Sequence, residues 1–146
     1  MVGEKKEYNI RVELKLEGNY SQEVKNILRP NELYGGEPVL VSIKLINVGS
    51  LLFTGIARNI MLTEMIGSSG EQWTFNDVKI SNLNVEAEVT IVNTYIVPLG
   101  EGLLTIKFDL ESNDGNSVKI EGRNGRSFMD FVYVHNRLLI QLILKR

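Results

Sequence analysis

Apolar and polar side chains alternate with a period of two through most of the chain. Tyr8, Ile10, Val12, Leu14 and Leu16 alternate with Asn9, Arg11, Glu13 and Lys15. This is the pattern of a strand with one face buried and one face wet. Val39, Val41, Ile43 and Leu45 share one side of a second strand, opposite Ser42 and Lys44. Pro38 precedes it, where a missing N–H costs least, and Gly35-Gly36 ahead of it permits a sharp turn. Asn47-Val48-Gly49-Ser50 closes that strand. A third run, Ile56 to Ile66, ends at Gly67-Ser68-Ser69-Gly70. Short pieces follow at Trp73 to Phe75 and at Val78 to Ile80. Ala87, Val89, Ile91, Asn93, Tyr95 and Val97 form an alternating set that stops at Pro98. Leu104, Ile106, Phe108 and Leu110 alternate with Thr105, Lys107 and Asp109. Asn113-Asp114-Gly115-Asn116 is a strong hairpin signal leading into Val118 and Ile120. A last strand is expected at Phe128 to Val134.

Turn signals at this spacing predict an all-β fold, an antiparallel immunoglobulin-like β-sandwich of about 7–9 strands. No βα rhythm of a parallel sheet is present. One domain is expected over 1–146, with its core at 38–121, an N-terminal strand and loop at 1–37 and a C-terminal extension at 122–146. Two segments depart from period two. Ser21 to Leu28 places Val24, Ile27 and Leu28 at helical spacing, and Arg29-Pro30 would end that helix. Asn136 to Arg146 fits either a helix capped by Asn136 or one more strand. Leu138, Leu139, Leu142 and Ile143 would share its apolar face, and this face is a candidate for docking on a partner or a second copy.

Bulk properties narrow the function classes. The 146 residues suit one ordinary domain with its own core. The formal net charge of −2 argues against nucleic acid or an anionic membrane as partner, since both need a surplus of Lys and Arg. The absence of cysteine removes disulfides, thiolate catalysis and Cys-ligated metals. The N-terminus MVGEKKEYNI lacks the apolar stretch of a signal peptide. The expectation is a cytoplasmic protein, or an extracellular, cell-surface one whose leader has been removed. No run approaches the ~18 apolar residues of a membrane span.

Candidate chemistry is sparse. His135 is the one histidine, and it has neither a nucleophile elbow nor a second histidine at metal spacing; a strand-end residue at a sheet edge is its simpler reading. Asp109, Glu111, Asn113 and Asp114 put oxygen ligands at nearly alternate positions, a weak calcium pattern. Glu111 stands where Asp or Asn belongs and Gly115 falls one residue late, which favours a plain hairpin. Arg123 and Arg126 in GRNGRS offer two guanidinium forks for an anion or a partner, beside the commoner reading of a solvated loop. Asn19-Tyr20-Ser21 is a sequon of the kind expected by chance. Trp73 and Phe75 are either an exposed ligand-binding pair or, more simply, a plug of the core. Gly100-Glu101-Gly102 lacks the third glycine and the helix of a phosphate loop. No carboxylate pair is marked out for glycoside hydrolysis. No cofactor and no catalytic set is expected.

Four features taken in order carry a family resemblance. A strand ends in Asn47-Val48-Gly49-Ser50. Leu83 precedes a strand starting near Ala87. Gly102-Leu103-Leu104-Thr105-Ile106 leads to Asp109 and a turn, and Val118-Lys119-Ile120-Glu121 follows. Over about residues 38 to 121 this resembles CARDB-type and related archaeal surface-layer modules, which are fibronectin III/immunoglobulin-like sandwiches. The chain departs from them at Asn84-Val85 and at Gly122-Arg123-Asn124-Gly125, and 122–146 has no counterpart. The resemblance implies an adhesion or spacer module with no catalytic residues, engaging a protein partner or a second copy. A competing resemblance is to the arrestin-like sandwich, through Tyr34-Gly35-Gly36-Glu37. It implies a cytoplasmic scaffold or assembly subunit. A carbohydrate-binding sandwich using Trp73 is the third reading.

Overall fold

The computed structural model describes residues 5–29, 32–66, 69–100 and 102–135, with Ile66 and Ser69 described by backbone alone. The expected C-terminal helix or strand at 136–146, with Leu138, Leu139, Leu142 and Ile143, lies outside the described residues. The elements in chain order are β1 (Glu7–Gly18), α1 (Gln22–Ile27), β2 (Glu32–Tyr34), β3 (Val39–Asn47), β4 (Phe53–Ile66), β5 (Ser69–Thr74), β6 (Val78–Leu83), β7 (Glu88–Ile96), β8 (Gly102–Ser112), β9 (Ser117–Ile120) and β10 (Ser127–His135).

The strands form two sheets. The smaller has the order β7-β3-β1-β9; the larger has β2-β10-β8-β4-β5, with β6 also paired to β4. Buried residues of both sheets meet in one core, Ile10, Val41 and Leu45 from the smaller and Leu62, Ile106 and Val132 from the larger. The all-β sandwich is therefore as the alternation predicts. Two details differ. The pairing is mixed, because β9 runs parallel to β1 and β2 parallel to β10. Among the described residues the strands number ten, because β2 was not expected as a strand; the two short pieces expected at Trp73 to Phe75 and Val78 to Ile80 correspond to β5, which starts earlier, and β6.

Local chemistry explains the joints. The Ser21 hydroxyl accepts the Val24 N–H at 3.3 Å and caps α1, while Val24 is buried. The Asn47 side chain accepts the Gly49 N–H at 3.0 Å, the two-residue reach that makes Asn a turn former. Its amide donates to the carbonyls of Leu51 at 2.8 Å and Leu83 at 2.9 Å. One buried side chain thus ties β3 to the starts and ends of its neighbours.

One alternation reads differently in the structure. Val89 pairs with Leu45 and Thr90 with Lys44, but Ile43 pairs with Val92, so Ile91 is an extra residue in β7. Ile91 and Val92 are both buried, and the side-chain parity inverts beyond them. Tyr95 and Val97, expected to share the buried face with Val89, are exposed, and Ile96 is buried instead. An inserted residue turns every later side chain over because the period is two.

Candidate functional site

The outer faces of the two sheets differ in chemistry. That of the smaller sheet carries Arg11, Glu13, Lys15 and Glu17 of β1 beside Ile46, Lys44, Ser42 and Leu40 of β3, with Tyr95 of β7 exposed next to Leu40. Its centre is charged and polar, and its apolar side chains lie towards its ends. On the larger sheet, β10 turns Phe128, Val132 and Val134 into the core. Its alternate residues Met129, Phe131 and Tyr133 point outward and are 57%, 59% and 41% exposed. Strand register extends these into rows. Tyr133 pairs with Leu103, which pairs with Met65; Phe131 with Thr105 and Thr63; Met129 with Lys107 and Met61. Leu103 and Met65 are exposed as well. The result is a contiguous apolar face across three strands, with threonines at its middle row and one cation, Lys107, in its lower row. Exposed apolar side chains scattered singly are ordinary, whereas a contiguous set marks an interaction surface. Methionines add adaptability to such a surface.

The upper end of this face is held rigidly. His135, the last residue of β10, lies 2.7 Å from the Glu32 carboxylate through Nε2, and its ring meets Tyr133 edge-on at 4.7 Å. The His135 contact and then the Arg29 N–H hold the Glu32 carboxyl below the usual carboxylate range. His135 thus stands at the strand end, as its position in the sequence suggests, and steadies the tyrosine of the face.

Behind the face sits Glu64, a fully buried carboxylate on β4. It accepts the N–H groups of Leu99 at 2.7 Å and Gly100 at 2.8 Å. These belong to the crossover from β7 to β8, where Gly100 has φ +118°. The crossover packs against Gly35-Gly36: the Gly36 N–H donates to the Pro98 carbonyl at 2.7 Å. A Cβ on Gly35 would stand 2.4 Å from the Leu99 oxygen, so this approach needs glycine. Among the described residues both polar contacts of Glu64 are to this loop, which makes it a brace for the loop.

The residues singled out in the sequence are engaged elsewhere. Asp109 accepts from Ser127 at 2.6 Å and Asn59 at 3.1 Å, and these bonds, Ser127 first, keep its carboxyl below its ordinary range. Glu111 pairs with Arg58 at 3.6 Å and Arg126 at 3.4 Å. Asp114 accepts from the Tyr8 hydroxyl, the Asn116 N–H and Ser112, and is held far below the carboxylate range, chiefly by Tyr8. Asn113 is exposed in the turn. Among the described residues no three such groups converge as a metal cluster. Arg123 donates to the Met129 carbonyl at 2.9 Å, pairs with Asp130 at 3.9 Å and lies 4.8 Å above the Phe128 ring. Arg123 and Arg126 are therefore spent on separate partners instead of forming one anion fork. Trp73 and Phe75 are half-buried and pack against the core. No described helix is long and apolar enough to cross a membrane.

Comparison with known proteins adds little beyond this geometry. No family model and no curated protein matches the chain. Among solved structures it is similar to Spo0M, a sporulation control protein from Bacillus subtilis, at 13% identity and a TM-score of 0.43, covering 93% of this chain and 53% of that one. The chain thus spans about half the length of that structure. It is also similar to a structural-genomics target, SoR45, at 22% identity and a TM-score of 0.36, covering 84% of this chain and 81% of that one.

Proposed function

We propose that the chain is a non-catalytic protein-binding module that engages its partner through the outer face of the larger sheet. The single observation behind this reading is the contiguous exposure of Met65, Leu103, Met129, Phe131 and Tyr133. Its apolar side chains stand around a pair of threonines, with Phe131 and Tyr133 the aromatic anchors. The complementary surface is apolar, with a carboxylate placed for Lys107. The reading favours a binding module over a passive spacer, which needs no such face. It also favours one over a carbohydrate-binding sandwich, since the indole of Trp73 is committed to the core side. It applies equally to a cell-surface module and to a cytoplasmic scaffold.

A photocrosslinking residue placed at Thr105, in the middle row of the face, tests it in the native host. Discrete protein adducts are expected from Thr105 and none from Ser42 on the charged face of the smaller sheet. Equal labelling from both positions would overturn the reading.

A further inference from the structure

The two sheets do not match in width. β7 is the last strand of the smaller sheet, and β4 lies beneath its end, where the Leu99 and Gly100 N–H groups meet Glu64. The larger sheet continues one strand further, to β5. Glu71 pairs with Glu64 and Trp73 with Leu62, and both of these β4 residues are buried, so Glu71 and Trp73 face inward as well. Phe75 follows, its N–H donating to the Ile60 carbonyl at 3.0 Å. Yet Glu71 is exposed, and Trp73 and Phe75 are only half-buried. The inner side of β5 is therefore a ledge that the smaller sheet does not reach.

The edge above this ledge is open. The Asn47 N–H donates to the Ala87 carbonyl, so alternate β3 residues from Asn47 to Val39 turn their backbone groups towards β7. Their partners Thr94 and Ile96 turn back towards β3, which leaves Asn93, Tyr95 and, just past the strand, Val97 facing away. Among the described residues no backbone group of these three meets a partner on that side. Proteins guard edges with charges, prolines and bulges. Here the bulge at Ile91 lies below the open stretch and Pro98 lies past it. From Val89 to Gly100 the chain has no Asp, Glu, Lys or Arg, and Glu88 below pairs with Lys44 at 3.7 Å. On the outer side Lys25 and Glu17, one of each sign, line the groove that Tyr95 and Val97 share with Leu40. Past Pro98 the chain turns inward, its carbonyl accepting the Gly36 N–H, so the crossover leaves the edge clear.

We propose that this edge takes up an extended segment of a partner chain, as one more strand of the smaller sheet laid over Trp73 and Phe75. The backbone groups of Asn93, Tyr95 and Val97 supply the hydrogen bonds, and the ledge selects the side chains. Side chains alternate across a strand, so the segment is apolar where it faces the ledge and polar where it stands beside Asn93 and Tyr95. A basic residue at its end above Glu71 complements that carboxylate, which has no ion pair among the described residues. A second copy of this chain does not fit, because its own β5 would overhang into the same space. The site is independent of the apolar face of β4, β8 and β10, which lies on the far side of the larger sheet.

Fluorescence anisotropy with a labelled peptide tests the proposal on the full chain. The probe is three Val-Thr repeats with a lysine at each end, so either strand direction sets a cation above Glu71. Binding is expected with a Kd of about 100 µM. Backbone methylation of the threonine nitrogens and of the valine nitrogens makes two further probes. One should lose binding and the other keep it, since only one alternate set of N–H groups faces β7. Tyr95→Pro removes an outward N–H without touching the ladder to β3, and should weaken binding roughly tenfold or more. Glu71→Lys, at an exposed position, should weaken it roughly threefold. Unchanged thermal unfolding is the control for both variants, and the methylated probes read the native chain itself. Phe131→Glu should bind the peptide as the native chain does. No binding by the native chain overturns the proposal, and so do equal effects of the two methylated probes. Loss of binding in Phe131→Glu overturns it too, by moving the peptide to the apolar face.

Discussion

Glu64 shows what one side chain can decide. A lone acid within Ile60-Met61-Leu62-Thr63-Glu64-Met65 looks like a solvent-facing position on an apolar strand. Its two backbone donors, Leu99 and Gly100, lie on the crossover from another strand, so no local pattern marks it as a brace. Glu64→Ala leaves the buried Gly100 N–H and the part-buried Leu99 N–H without their partner, and should cost about 2 kcal/mol in denaturant unfolding. A loss under about 0.5 kcal/mol would mean the loop finds other partners. Tyr8 and Asp114 give a pH-dependent counterpart. The Tyr8 hydroxyl lowers the folded-state pKa of Asp114, so the unfolded chain binds the proton more readily. The stabilisation is complete above the ordinary carboxylate range and is lost as pH falls through and below it. Tyr8→Phe should therefore destabilise the protein most near pH 6, with the gap from the native chain narrowing towards pH 2.5. A gap that stays constant across that range would contradict the assignment.

At the scale of elements, the alternation of Val39, Val41, Ile43 and Leu45 is enough to fix β3, because these four are buried and apolar while Ser42 and Lys44 between them mark the other face as polar. The helix at Gln22–Ile27 was equally legible from Ser21 and the spacing of Val24 and Ile27. β7 was not, since the extra residue at Ile91 is set by its partner β3 and leaves no trace in composition. β10 was legible as a strand but not as a site: Met129, Phe131 and Tyr133 are as apolar as the buried set between them, so neither face declares itself. The turn after β3 lies between these cases. Asn47 and Gly49 announce a turn, but the two carbonyls that Asn47 satisfies come from Leu51 and from distant Leu83. Asn47→Ala should cost about 3 kcal/mol, through its buried carbonyls as well as the turn. Unfolding midpoints in urea measure it, and a cost near that of an ordinary turn residue would limit Asn47 to local work.

For the whole molecule, the asymmetry between the two outer faces is the central finding. The sequence candidates sought chemistry in loops, at Asp109 to Asp114 and at Arg123 and Arg126, and those groups serve the fold. The apolar face arises only when β4, β8 and β10 are laid side by side, with Met65, Leu103 and Tyr133 in one row. The most direct test is Phe131→Glu, read in two ways at once. Phe131 is 59% exposed, so thermal stability should stay within about 0.5 kcal/mol of the native chain. Crosslinking from Thr105 to the partner should disappear. Undiminished crosslinking would contradict the account, as would a loss of about 2 kcal/mol in stability, the cost expected of a side chain buried within the fold itself.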